Sequence, residues 1–199
     1  MTSPSERDLA WWRRTMCRFS PLTDEEARAV ESHVRLRSLD AGDAYLRAGD
    51  NCSEVGLVRN GLLRESFVLA DGRERTRGFA TVGDFAGSLS DLMRPGPARS
   101  EVAALAPTLV LSVQWSKVAA ATARHPGWSA LIAAAIKRLY LLKSEREYEL
   151  LALDARARYQ NFSDRWSAIE SEIPLRHVAS YLGVTPEYLS RLRRRLAPR

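Results

Sequence analysis

Glu187 and Arg191 stand four residues apart close to the C-terminal end of a 199-residue chain. On a helix that spacing puts both side chains on one face, within reach of the same target. A guanidinium there can make two bonds to a guanine edge or neutralise a phosphate. Tyr188 and Ser190 flank the pair, and Arg194 and Arg195 follow further along, where phosphates are the nearer target. The last nine residues, Arg191 to Arg199, hold five arginines and no acid. The chain carries a formal charge of +6, and its middle is mixed in sign, so a basic end sits on a nearly neutral body. That distribution suits a nucleic-acid contact placed at one end.

The elements needed to hold those side chains can be read just upstream. Pro174 suits the first turn of a helix, and Leu175, Val178, Ala179 and Leu182 give it one apolar face. Gly183 fits the left-handed residue that ends a helix and turns the chain. Val184 is placed to plug the gap between two helices. Thr185 can cap the next helix, with Pro186 at its first position and Glu187 in its first turn. Leu189, Leu192 and Leu196 form the inner face of that second helix. Ile173 to Arg199 therefore reads as a helix-turn-helix, whose second helix lies in the major groove of DNA. The favoured DNA-facing residues are Thr185, Glu187, Tyr188, Ser190, Arg191, Arg194 and Arg195.

Other chemistries find little support. Cys17 and Cys52 are far apart, and His33, His125 and His177 are scattered, so neither thiol nor imidazole offers zinc spacing. No metal site and no cofactor are expected, and both thiols should be free. There is no Ser/His/Asp or Cys/His constellation and no Gly-rich phosphate loop. Asp84 and Asp91 could be argued as a carboxylate pair near Arg99, but Asp84 is more simply a turn residue. The chain is not expected to be an enzyme. Its most apolar stretch, Ala130 to Ala135, is too short to span a bilayer, and the N-terminus lacks a signal-peptide run. A cytoplasmic protein with no membrane contact is the expectation.

The rest of the chain divides into three textures. Residues 5 to 32 read as helical, with Thr23 and Glu26 spaced as a capping box. From His33 to Val113, short apolar runs alternate with Gly, Asp and Asn turns, as in an antiparallel barrel or roll. The expected strands are Val34–Leu39, Tyr45–Leu46, Val55–Val58, Leu62–Leu69, Arg75–Ala80 and Val102–Val113. Asn60-Gly61 and Asp71-Gly72 are both hairpin signals. Ser116–Arg124 then reads as a short helix and Trp128 to about Leu153 as a long one. Leu131, Ile132, Ala135, Ile136, Leu139 and Leu142 line one of its faces, and Lys137, Lys143, Glu145, Arg146 and Glu147 the polar one. Its length favours pairing with its twin in a dimer over packing only on its own barrel. A further helix is expected from Asp154 to Ile169.

Taken together, these stretches resemble the Crp/Fnr (cyclic-AMP receptor protein) family of bacterial transcription regulators. The resemblance rests on Leu57-Val58-Arg59-Asn60-Gly61-Leu62-Leu63-Arg64, Asp71-Gly72-Arg73-Glu74, Val82-Gly83-Asp84-Phe85, Ala98-Arg99-Ser100 and the Ile173–Arg191 run. It implies an α+β fold: an N-terminal antiparallel β-roll of the cyclic-nucleotide-binding kind with flanking helices, a long dimerisation helix and a C-terminal helix-turn-helix. The implied divisions are 1–125, 126–153 and 154–199. In the family a phosphate-binding cassette opens on glycine and glutamate and closes on an Arg-Ser or Arg-Thr pair. Gly87, Arg99 and Ser100 match that outline, but Ser88 stands where glutamate would be, and Glu101 follows where a small or apolar residue is usual. A carboxylate beside a phosphate repels it, so the cassette is degenerate and cyclic AMP is not expected to act. Arg99 is then left to pair with Glu101 or Asp84. The family also follows its recognition helix with a β-hairpin wing, whereas Leu196-Ala197-Pro198-Arg199 leaves a truncated wing or none.

The implied function is sequence-specific DNA binding by a homodimer, acting on double-stranded DNA, with an unidentified small-molecule effector, or none, biasing the long helix. The alternative is a ligand-sensing module that works through a protein partner without reading DNA.

Overall fold

The computed structural model describes residues 1–196. Two capping boxes set the N-terminal helices. The Ser5 hydroxyl and the Asp8 carboxylate reciprocally close the start of α1 (Glu6–Cys17), and Thr23 and Glu26 do the same for α2 (Asp24–Glu31). The helical reading of residues 5 to 32 is thus broken in two, because Phe19 to Thr23 forms the connection. Glu26 does more than cap. Its carboxylate accepts the Gly127 N–H at 2.7 Å, and its carbonyl accepts the Trp128 indole N–H at 2.8 Å. One short helix therefore anchors the start of the long one.

Eight strands follow: β1 (Arg35–Leu39), β2 (Ala44–Leu46), β3 (Glu54–Asn60), β4 (Leu63–Val68), β5 (Glu74–Ala80), β6 (Phe85–Ala86), β7 (Ser100–Ala104) and β8 (Thr108–Gln114). They form two antiparallel sheets, in the orders β1-β8-β3-β6 and β2-β7-β4-β5. Between the sheets lie Leu39, Tyr45, Leu46, Val58, Leu63, Val102 and Val110. The outer face of the first sheet packs Leu57, Leu111 and Val113 against Trp12, Met16, Val30, Trp128 and Leu131 of the helices.

Asp71-Gly72 forms the expected hairpin: β4 and β5 pair with Val68 opposite Glu74, and Gly72 takes a φ of 77°. Asn60-Gly61 does not. Its flanking strands lie in different sheets, so this turn carries the chain across the roll. Gly61, at φ 94°, sits so close to Pro107 and Thr108 that an added Cβ would lie 2.5 Å from the Pro107 carbonyl oxygen. The run from Val102 to Val113 is also two strands, one in each sheet, since Pro107 removes a ladder donor between them. The short α3 (Leu89–Met93) and β6 carried no periodic signal.

α4 (Trp115–Thr122) leads into α5 (Pro126–Ala152), whose 27 residues span about 40 Å at 1.5 Å per residue. Trp128, Leu131 and Ala135 are buried against the roll. Further along, Ile136, Tyr140, Tyr148 and Leu151 lie bare on the outside, with Tyr140 69% and Leu151 81% exposed. Ile136 and Leu142, expected to share a face with Leu131 and Ala135, are 38% and 42% exposed. Lys143 and Arg146, expected on the polar face, turn inward because acids wait for them there: Glu65 for Lys143, and Glu149 for Arg146.

α6 (Ala155–Trp166), capped by Asp154, is followed by a 3₁₀ turn (Glu170–Glu172), α7 (Leu175–Leu182) and α8 (Pro186–Leu196). Their core of Phe162, Ile173, Val178, Leu182, Leu189 and Leu192 also takes in Leu62 and Phe79 from the roll. Phe79 meets Trp166 edge-on, with ring centroids 5.8 Å apart. No helix among the described residues is long and apolar enough to cross a membrane.

Candidate functional site

The C-terminal unit has the geometry its residues dictate. Gly183 ends α7 in the left-handed conformation at φ 69°. The Thr185 hydroxyl accepts the Tyr188 N–H at 3.2 Å, which caps α8. Leu189 and Leu192 are buried, whereas Thr185, Glu187, Tyr188, Arg191, Arg194 and Arg195 are exposed and Ser190 is half-buried. Glu187 is held below the ordinary carboxylate range by its own backbone N–H and the Thr185 hydroxyl, with help from Arg191. It is therefore charged at neutral pH beside the arginine it accompanies. Arg193 turns the other way, donating to Glu170 at 2.7 Å. Glu170 also accepts from Tyr159 and Ser163, so this arginine fastens the unit together and is not part of its outer face. Ala197 to Arg199, on which the expectation about the wing rests, lie outside the described residues.

α7 lies on the edge strand of the roll. The Thr76 N–H of β5 donates to the Ser180 hydroxyl at 3.0 Å, and that hydroxyl donates to the Glu74 carbonyl at 3.4 Å. Buried Arg64 pairs with Glu74 and donates to Thr76 at 2.9 Å. His177 shares this junction. Burial, with Arg64 and Arg176 adding to it, lowers its pKa from 6.5 to about 4. The unfolded chain thus takes up the proton first, and folding loses stability as pH falls from 6.5 to about 4. We expect the melting temperature to be level above this window and to drop within it, and His177→Gln to flatten the drop. Asp8, Asp91 and Glu26 are held below their ordinary values of 3.8 and 4.5, so they add a loss only at the acid end. Thermal melts across pH 4 to 7 of both proteins check this, and parallel curves would refute it.

The cassette region keeps its outline but not its opening. Gly87 has a φ of 111°, and an added Cβ would come 3.2 Å from the Glu54 carbonyl. Ser88 and Ser100 are fully buried, with their hydroxyls 3.2 Å apart. The Ser100 N–H donates to Asp91 at 3.0 Å. Burial pulls the Asp91 carboxyl up, but the N–H groups of Arg99 and Ser100 and the hydroxyls of Ser100 and Ser88 outweigh it and hold it low. An internal carboxylate thus occupies the Ser100 N–H, within the pair that the resemblance assigns to a phosphate. Glu101, one residue on, lies on the opposite face of β7 from Ser100 and Val102, so the opposing charge is Asp91 and not Glu101. Arg99 is exposed, and the proposed pairing with Asp84 is taken by Arg138 at 3.7 Å. Arg77 reaches the Ser100 hydroxyl instead, at 2.8 Å, and also donates to Glu65 at 2.6 Å.

Beside the cassette is a cavity of about 490 Å³ between the roll, α5 and the C-terminal helices. Phe79, Val102, Leu139 and Ile169 contribute apolar wall, and Gly87 marks its cassette end. Its volume is in the range of pockets for small organic ligands. Among the described residues no group of three metal-ligating side chains comes together.

Residues 36–125 match the family model for the cyclic nucleotide-binding domain. The matched segment runs from β1 to α4, and the long helix and the C-terminal helices lie beyond it. Most of the chain shares its fold with several solved structures. FixK2 from Bradyrhizobium japonicum is 22% identical at a TM-score of 0.71, with 82% of this chain and 84% of that one covered. A Crp/Fnr-family regulator from Eubacterium rectale is 16% identical at 0.71, covering 89% and 87%. The Thermus thermophilus catabolite activator protein is 24% identical at 0.56, covering 92% and 86%. A comparison with curated proteins finds no significant match.

Within this segment, the sequence points to Gly87, Ser88, Arg99 and Ser100, and offers Asp91 only as a partner for Asp84, not as the acceptor of the Ser100 N–H; Arg77 and Glu65 were missed. Asp91 sits in a five-residue helix with no periodicity to announce it. Arg77 is the extra residue of a bulge between Thr76 and Gly78, so simple alternation along β5 does not place it. Lys143 and Trp166 come from beyond the domain, and only the tertiary fold brings them to it.

Proposed function

We propose that this chain is a homodimeric, sequence-specific DNA-binding regulator whose cyclic nucleotide-binding domain answers to an effector other than cyclic AMP. The observation that carries the reading is the helix-turn-helix itself: a left-handed glycine turn, an apolar inner face, and Glu187 and Arg191 side by side on the open face of α8. The unpartnered apolar stripe of α5 supports two copies joined along that helix. The two recognition helices would then meet a palindromic site about one helical turn apart. The divisions 1–125, 126–153 and 154–199 become a sensor, a dimer helix and a DNA reader. An effector that favours one setting of α5 would shift the population of DNA-competent dimers. Asp91 on the cassette donors supports indifference to cyclic AMP. No observation among the described residues favours the alternative of a protein partner.

Arg191→Ala tests the reading. The variant should melt like the parent, because Arg191 is exposed, and should bind its selected DNA site about 5- to 150-fold more weakly, as expected for about 1–3 kcal/mol of base contact. The site can be obtained by selection from random duplexes, and mobility-shift titration gives the affinity. Undiminished binding would remove Arg191 from the interface.

A further inference from the structure

Two clusters of charge on the cavity wall are unbalanced in the same sense. Glu65 of β4 receives Arg77 of β5 at 2.6 Å and Lys143 of α5 at 3.3 Å. Glu149, near the end of α5, receives Arg146 at 3.2 Å and Arg165 of α6 at 3.6 Å. In each cluster two cations share one carboxylate. All four cations line the cavity. Glu149 itself stands behind the lining, and the other lining carboxylate besides Glu65 is Asp84, which faces Arg138 at 3.7 Å with Arg18 also near it. The hollow therefore presents a mainly apolar wall with two surplus positive charges set into it.

Such an arrangement is costly while nothing answers it. Burial lowers the pKa of Lys143, because its charge is poorly solvated there. Trp166 adds a second unmet demand: it lines the same cavity, and its indole N–H is buried without a hydrogen-bond partner. An apolar hollow with surplus cations and an idle N–H donor selects a ligand with an apolar body and an anionic head. A cyclic nucleotide suits it poorly. The sugar and base would need several polar partners on a wall that is mostly apolar, and Asp91 already holds the cassette's backbone donors.

We propose that this cavity binds a small organic acid with an apolar body. Its carboxylate meets the surplus cations that α5 supplies, Lys143 and Arg146, and a further acceptor atom takes the Trp166 N–H. The apolar part lies against Phe79, Val102 and Leu139. This proposal rests on the effector reading above and gives that effector a chemical class. The ligand would touch the roll through Phe79, the long helix through Lys143, and the DNA-reading half through Trp166. Its binding thereby fixes the helix-turn-helix relative to the sensor.

Isothermal titration calorimetry on the full chain tests this, with decanoate and 4-phenylbutyrate as acids, decanol as the neutral counterpart of decanoate, and cyclic AMP as the nucleotide. The expected result is that at least one acid binds tenfold or more tightly than decanol and than cyclic AMP. Lys143→Met should erase most of that preference while leaving decanol binding unchanged. Lys143→Gln is the second variant, and thermal melts confirm that each is folded. Decanol equal to decanoate, cyclic AMP binding more tightly than either acid, or no binding by either acid would each overturn the proposal. No DNA is present in this experiment, so its failure is separate from a failure to bind DNA, which mobility shift of the unliganded protein reports.

Discussion

A Tyr140→Asp, Leu151→Asp double variant is expected to run as a folded monomer and to lose a hundredfold or more in affinity for a palindromic site. Both side chains are mostly exposed on a helix that is otherwise well anchored, so removing them takes nothing from the core. In a two-fold dimer each contributes twice, because a residue on one copy meets the same patch on the other. Burying a leucine-sized side chain is worth about 1.5–3 kcal/mol, and aspartates facing one another across the axis would repel. Once the copies part, binding at the second half-site is no longer intramolecular, which costs about 10²- to 10⁴-fold. Sedimentation velocity and mobility shift report the two effects. A variant that stays dimeric would show that some other face joins the copies. A monomer that binds the palindrome at full strength would show that dimerisation is not what sets DNA affinity.

Gly61→Ala should destabilise the roll by about 3 kcal/mol or more, adding the cost of a left-handed backbone to that of a steric clash. At φ 94° an alanine Cβ would lie 2.4 Å from the Thr108 hydroxyl oxygen, 2.5 Å from the Pro107 carbonyl oxygen and 2.7 Å from the Thr108 Cα. Two of these neighbours are backbone and cannot swing aside. Thr108 is also committed, since its hydroxyl accepts the Leu62 N–H at 3.0 Å. The strain therefore falls on the crossing that joins the two sheets. A drop in melting temperature of about 6–12 °C corresponds to this loss for a chain of this size. Gly42→Ala offers a comparison, because Gly42 has a similar φ of 95° but open space around it. If the two variants melt alike, close approach at Gly61 is not the cause.

The parts of this fold that could be read from sequence are those fixed by neighbours along the chain. Thr23 with Glu26, Gly183, and Thr185 with Pro186 each act within one turn of helix, and each does what its type and spacing imply. Asn60-Gly61 shows where local signals stop. The same dipeptide chemistry that closes a hairpin also allows a left-handed crossing, and which one occurs depends on Pro107 and Thr108, more than forty residues away. The candidate site divides in the same way. Gly87 and the Ser88–Ser100 pair lie within one short cassette and were visible. Arg77, Lys143 and Trp166 come from three separated elements, and nothing in their immediate neighbours tells that they share a wall. Lys143 looks like a solvent-facing charge because its partner, Glu65, is remote in sequence, and Arg146 because only its acid, Glu149, is near while the Tyr181 ring is remote. Arg146 lies 3.9 Å from the Tyr181 ring centroid, a contact that exists only once α7 has docked.

That docking bears on how the protein can be divided. β5 is the outermost strand of its sheet, and α7 covers it through Ser180. Removing the C-terminal helices would leave the strand's N–H and carbonyl groups bare, with Leu62 and Phe79 uncovered next to them. An edge in that condition is a template for pairing with other chains. α7 is thus also the guard against self-assembly of the roll, and the chain cannot be cut at the end of α5 without exposing a surface prone to aggregation.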